Sequence, residues 1–205
     1  MSKFDKNTKN VKLSDMTKKQ ILVLEAAIAV FSRYGVRKAT MGEIAQTAQI
    51  SRQTLYAIYP SKEDIFANAL RLMTERSFQD IHDEWERSTS LDEKLNAYFD
   101  HFIIAYFRHI QALPDADDLL TGIDEITANF VKEIEGQKAV LLEGLFEPYR
   151  EQLLAFETTP ENLADFFQTS SSNFKNAAND EPHLVRLLIP LKQSVLAMLG
   201  EANPA

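Results

Sequence analysis

TMGEIAQTAQISRQTLYAIYPSK, residues 40–62, decides how the whole chain is read. Thr40 followed by Glu43 is a capping box. The Thr oxygen accepts a free N–H of the first turn, and the Glu carboxylate reaches back to the Thr N–H. A helix is therefore predicted from residue 41, with Ile44 and Ala45 facing inward. Ser51 opens a second short helix in the same way, and Leu55 is its apolar anchor. Pro60 disfavours helical backbone at Tyr59 and ends that helix. Ser61 caps the next helix, whose first turn carries Glu63 and Asp64 against its positive end. Two short helices about a tight turn form a helix-turn-helix, a layout whose second helix can enter the major groove of DNA.

Outward from this segment, residues 17–34 form an amphipathic first helix. Ile21, Leu24, Ile28 and Phe31 fall on one stripe, and Gly35 stands at the C-terminal cap position. Residues 1–16, with Lys3, Lys6, Lys9 and Lys12, read as a flexible basic tail, and residues 17–61 as a DNA-binding domain. Residues 62–205 read as a second, helical domain. Its helices are expected at 62–87, 91–111, about 116–156, 160–176 and 181–199. The long stretch is expected to break near Gly122 and Gly136 and to kink at Pro148. The fold class is all-α, with about nine helices.

Composition narrows the function. The chain has no cysteine, which excludes disulfide frameworks, thiolate metal sites and cysteine nucleophiles. No apolar run approaches the ~18 residues that span a bilayer, and the first residues lack the apolar core of a signal peptide. A cytoplasmic protein is the expectation. The net charge of −8 hides an asymmetry. Residues 1–60 carry ten Lys/Arg against four Asp/Glu, a net of +6, whereas residues 61–205 carry twelve against twenty-six, a net of −14. A basic part can dock on phosphates, and an acidic part is repelled from them.

The exposed edge of the second short helix supplies the contacts. Arg52 and Gln53 suit guanine and adenine edges. Thr54 suits a phosphate or a thymine methyl, and Tyr56 can place its hydroxyl on the backbone. Thr40 and Lys62 stand at the starts of the flanking helices, where free N–H groups favour a phosphate.

At these residues the chain resembles the TetR/AcrR family of bacterial transcriptional regulators. The resemblance covers about Ile21–Leu70. It rests on Phe31/Gly35, on Thr40/Ile44/Ala45, on Ser51/Thr54/Leu55/Tyr56 and on Pro60/Ser61/Lys62/Glu63. It implies an all-helical homodimer that binds a palindromic operator on double-stranded DNA, usually to repress. It also implies an effector in the C-terminal domain that moves the fourth helix and releases the DNA. Three positions depart from the family's pattern. Gln49 stands where the turn usually has Gly, Gly42 leaves the first short helix without a contact residue, and Ile58 replaces an aromatic or histidine.

Beyond the resemblance, Trp85, Phe99, Phe102, Tyr106 and Phe130 are candidates to line a pocket for a small hydrophobic or aromatic effector, with His101 and Asn129 as polar fixers. An ordinary packed core uses the same pattern. His82, His101, His109 and His183 show no metal-ligand spacing, and no catalytic motif appears, so neither a metal, a cofactor nor an enzyme is expected. Leu163, Phe166, Phe167 and Phe174, with Leu184, Leu187, Leu188, Leu191, Val195 and Met198, give the last two helices apolar faces for a dimer seam. Ser170–Ser172 provides a small-residue patch where helices can approach closely. The competing readings are a DNA-binding regulator with no small effector and a helical-bundle enzyme.

Overall fold

The computed structural model describes residues 16–112, 114 and 125–201, with the side chains of 125–129 left out. The described residues are helical, without a strand. They form two compact units, one ending at Arg76 and one beginning at Ser77. The basic tail, Gly122 and Asn129's side chain lie outside the description.

In the first unit, α1 (Lys18–Tyr34), α2 (Met41–Thr47) and α3 (Arg52–Ile58) precede α4 (Lys62–Arg87). Val23, Leu24, Ala27, Val30 and Phe31 of α1 are buried, while Ile21 and Ile28 lie at the edge. The buried face is thus rotated from the expected stripe toward Val23, Ala26, Ala27 and Val30. Ile44 and Leu55 are fully buried in the same core. The core also takes in Ile65, Ala69 and Leu72 of α4, which extends this unit past Ser61.

The turn between α2 and α3 is a Schellman motif. The Gln49 N–H donates to the Gln46 carbonyl at 3.1 Å and the Ile50 N–H donates to the Ala45 carbonyl at 3.0 Å. Gln49 takes φ 55°, the left-handed region that glycine enters without cost. Ile50 is partly buried against the core that holds Ala45 and Ala48, which holds the turn in place.

The second unit begins in the latter part of α4 and continues through α5 (Leu91–Tyr98), a π-helical turn (Phe99–Ile104) and α6 (Ala105–Gln111). The expected single helix over 91–111 therefore changes register in its aromatic middle. α7 (Glu125–Phe146) passes through Gly136 without interruption, contrary to expectation, because its Cβ side is open and nothing there requires a break. Pro148 sits in a 3-10 turn (Glu147–Tyr149) before α8 (Arg150–Leu154). Thr159 and Asp180 cap α9 (Pro160–Ala177) and α10 (Glu181–Met198). Tyr98, Leu142, Phe146, Phe167, Leu184 and Val195 meet in the core of this unit.

Replacing Gln49 by Gly is expected to stabilise the first unit by about 0.5–1 kcal/mol. Relief of the left-handed strain, ~1–2 kcal/mol, exceeds the extra unfolded-state entropy of glycine, ~0.5–1 kcal/mol. Urea unfolding of Gln49→Gly beside the parent measures this, and a lower midpoint for the variant contradicts it.

Candidate nucleic-acid interface

Each end of the helix-turn-helix is closed by side chains that the sequence placed there. The Thr40 N–H and Oγ1–H both donate to Glu43 Oε2 at 2.8 Å, and the Glu43 N–H donates to Thr40 Oγ1 at 3.2 Å. These bonds, side chain first and backbone second, hold the exposed Glu43 carboxyl below its usual range. The Thr54 N–H donates to Ser51 Oγ at 3.1 Å, and the two hydroxyls lie 2.9 Å apart. Asp64 and Ser61 repeat the arrangement at α4, with N–H···Oγ at 3.0 Å and O–H···Oδ2 at 2.7 Å.

Within α3 only Leu55 is buried. Tyr59, immediately after it, is also buried in an extended conformation, and its N–H bonds the Leu55 carbonyl at 2.9 Å. Desolvation pushes its phenol up to about 12, so Tyr59 is a neutral core group. With Leu55 turned inward, Arg52, Gln53 and Tyr56 face solvent, Tyr56 at 52% exposure. Three of the candidate contacts therefore lie side by side.

The other candidates are more constrained. Thr54 is half-buried and its hydroxyl is occupied with Ser51. Thr40 is exposed but its hydroxyl is turned onto Glu43. Lys62 donates from Nζ to the carbonyls of Arg37, at 3.0 Å, and Ala39, at 3.1 Å. It thereby braces the loop before α2. Ile58 packs partly against the core.

Gly42 has a geometric reason that its sequence position does not reveal. A Cβ built there would lie 2.5 Å from Nη2 and 3.0 Å from Cζ of Arg52. The guanidinium from α3 thus occupies the space a side chain on α2 would need. A cation reaching across from α3 stands where α2 would otherwise present a side chain.

The candidate pocket residues of the second unit are all partly or wholly engaged. The Trp85 indole N–H donates to the Lys94 carbonyl at 2.8 Å. The Phe99 ring stacks on Phe167, 5.1 Å between centroids and 11° between planes. Phe102 packs edge-on against Phe78 and Tyr98. Phe130 is buried, and Tyr106 is 44% exposed with the Lys175 ammonium 4.5 Å from its ring centre. His101 lies 3.0 Å from a Glu84 oxygen, and His109 lies 2.6 Å from the Ala105 carbonyl, so the two do not act together. Among the described residues no group of His, Asp or Glu is arranged to hold a metal. No helix of the described chain is long and apolar enough to cross a membrane.

The sequence reading missed Glu135, Lys138, Gln168 and Lys175, of which Lys138 and Gln168 are buried and the other two partly so. A signal for two of them was present on α9. Leu163, Ala164 and Phe167 set a buried face, and Gln168, Ser171 and Lys175 continue it at three- and four-residue steps.

A short helix held by one inward leucine, with arginine, glutamine and tyrosine facing out, defines a helix-turn-helix DNA-binding protein. Comparison with known proteins agrees. The model for bacterial regulatory proteins of the tetR family matches residues 23–69. YuxN of Bacillus subtilis, an uncharacterized HTH-type transcriptional regulator, is 23% identical over 201 residues, covering 82% of this chain and 68% of that protein. The HTH-type transcriptional repressor SCO4008 of Streptomyces coelicolor is 40% identical over 48 residues, 23% of this chain and 25% of that protein. The crystal structure of a transcriptional regulator from Cytophaga hutchinsonii shares the fold at TM-score 0.71, with 18% identity over 90% of this chain and 98% of that one. By this match and these relatives the chain is a DNA-binding transcriptional regulator whose residues 23–69 are those of the tetR family.

Gly42→Ala is expected to weaken DNA binding about tenfold, roughly 1.4 kcal/mol, by displacing the Arg52 guanidinium. Stability should not fall, since alanine is the better helix former. Fluorescence-anisotropy titration on duplex DNA selected for binding, paired with urea unfolding, checks both. Unchanged affinity means Arg52 does not act from its place over Gly42.

Proposed function

We propose that this regulator is a repressor that binds a palindromic operator as a homodimer and leaves it when a small hydrophobic effector occupies the C-terminal unit. The observation that carries the DNA-reading part is the exposed row Arg52, Gln53 and Tyr56 on a helix whose inward anchor is Leu55. Arg52 and Gln53 read base edges, and Tyr56 and the helix starts at Thr40 and Lys62 sit against phosphates. Thr54 acts mainly through its methyl and through the cap it shares with Ser51.

So short an edge supports a two-fold reader. One α3 offers two base-reading side chains, and a dimer doubles them across half-sites about one helical turn, ~34 Å, or a multiple apart. The seam proposed is the outer side of the last two helices. Leu184, Leu188, Leu191 and Val195 are buried within this chain, so they are spent on its own core. Phe166 on α9 and Ile189 on α10 remain 52% and 50% exposed, which suits contact with a second copy. The relative from Streptomyces coelicolor is named a repressor, which supports that sign of regulation. In this reading residues 1–16 are a basic arm, 17–61 hold the DNA-contacting residues, and 62–205 bind effector and partner.

Arg52→Ala and Tyr56→Ala should each lose at least about tenfold in operator affinity, within the ~1–3 kcal/mol expected for one base-reading or positioning contact. Dimer mass by light scattering and helicity by circular dichroism should not change. Parent-like operator binding by both variants would sink the assignment of this edge.

A further inference from the structure

Glu135 and Lys138 of α7 face Gln168 of α9 inside the second unit. Lys138 Nζ lies 2.9 Å from Glu135 Oε1, and Gln168 Nε2 donates to the Glu135 carbonyl at 2.9 Å and to Glu135 Oε2 at 2.6 Å. Burial alone would raise the Glu135 carboxyl. The Lys138 charge, the hydrogen bonds from Lys138 and Gln168, and the Lys175 charge outweigh it and hold the group below its usual range. Glu135 is therefore ionised and already committed.

What surrounds it is not satisfied. Lys175 feels the same carboxylate but has no ion pair of its own among the described residues. Burial, with Lys138 adding to it and Glu135 opposing, pulls its ammonium down to about 8. Two ammonium groups thus share one carboxylate. Three buried polar atoms of this unit have no hydrogen-bond partner: Tyr98 Oη, Gln168 Oε1 and Ser172 Oγ, the last on α9 one turn from Gln168 and from Lys175. Tyr98 is 0% exposed and Gln168 8%. The Ser171 hydroxyl, close to Tyr98, is bonded back to the Gln168 carbonyl at 3.1 Å. Leaving a buried donor or acceptor unpaired costs about 1–3 kcal/mol, and an unpaired charge costs more. Unpaired polar atoms gathered beside a surplus cation mark a place where a further polar group can bind.

The completing group is negative. Tyr98 and Ser172 can donate O–H, Lys175 supplies N–H and charge, and only Gln168 Oε1 accepts. Beside these lie apolar faces: Phe102, whose ring centre is 5.1 Å from Lys138 Nζ, and Tyr106, 4.5 Å from Lys175 Nζ. Phe102 lies within the π-helical turn and Tyr106 just after it, so the turn sets the register of the two rings. Such turns are common at functional sites. We propose that the C-terminal unit binds an amphipathic monocarboxylate. Its head group is held by Lys175, Tyr98 and Ser172, its hydroxyl or N–H substituent by Gln168, and its apolar body by Phe102 and Tyr106. This rests on the reading that the C-terminal unit takes a small effector, and it names that effector's class.

Calorimetric titration of the whole protein with dodecanoate, 3-hydroxydodecanoate and dodecanol, each below its micelle concentration, tests the site. Both acids should bind at least tenfold more tightly than the alcohol. Lys175→Gln should remove that advantage, weakening the acids at least tenfold and leaving the alcohol unchanged, while Lys175→Arg restores it. The proposal is overturned if neither acid binds. It is equally overturned if dodecanol equals the acids and Lys175→Gln changes nothing. A parallel titration of the protein–operator complex separates the two readings. Acids that bind without releasing DNA leave the anion site standing and remove the effector role. Release by dodecanol alone does the reverse.

Discussion

A helix of seven residues does not persist alone in water, because nucleation costs more than so few hydrogen bonds return. α3 exists because Leu55 is buried without residue and Tyr59 follows it into the core. Burying one leucine contributes about 1.5–3 kcal/mol, comparable to what so short a helix lacks. The exposed edge proposed to face DNA depends on that anchor. With Leu55 inward, helical geometry leaves Arg52, Gln53 and Tyr56 outward, and the Ser51 cap fixes where the helix begins. The Schellman turn at Gln49 and the Lys62 brace on the Arg37 and Ala39 carbonyls serve the same end from either side. A stable reading edge is thereby made from elements that are individually too short to be stable.

The second unit poses the opposite problem. It has ample apolar material, with Tyr98, Phe99, Phe102, Phe146 and Phe167 linked by ring contacts. Buried ion pairs often contribute little net stability, since desolvation offsets their attraction. Glu135, Lys138, Gln168 and Lys175 are thus poorly explained as structural glue. Their cost is understandable where the same groups bind something. The first unit uses its charge at the surface for a large anionic partner, and the second keeps a small surplus of positive charge inside an otherwise acidic domain.

How much of this was legible depended on the range of the interaction. Thr40 with Glu43, Ser51 with Thr54 and Ser61 with Asp64 act over three residues, so spacing alone located the helix starts. Pro60 acts on its immediate neighbour, and the end of α3 at Ile58 followed. The aromatic stretch 91–111 was legible as helix but not as a helix with a π-turn, because the extra residue is accommodated by packing against distant Phe78 and Phe167. Trp85 and Phe99 looked like pocket residues by type, yet the Lys94 carbonyl and the Phe167 ring claim them. Gln168 and Lys175 were not singled out in the sequence, because the group that makes them unusual, Glu135, stands on another helix.

The sequence by itself determined the all-helical class, the capped helix-turn-helix, the charge division between its two parts and the family to which those residues belong. These rest on contacts between near neighbours, where residue type and spacing are the whole cause. The tertiary structure alone decided that Arg52 lies over Gly42, that the outward apolar positions of the last two helices reduce to residues such as Phe166 and Ile189, and that a lysine pair shares one carboxylate among unpaired hydroxyls. Each of these sets side by side groups that are distant in the chain, and burial, not spacing, gives them their chemistry.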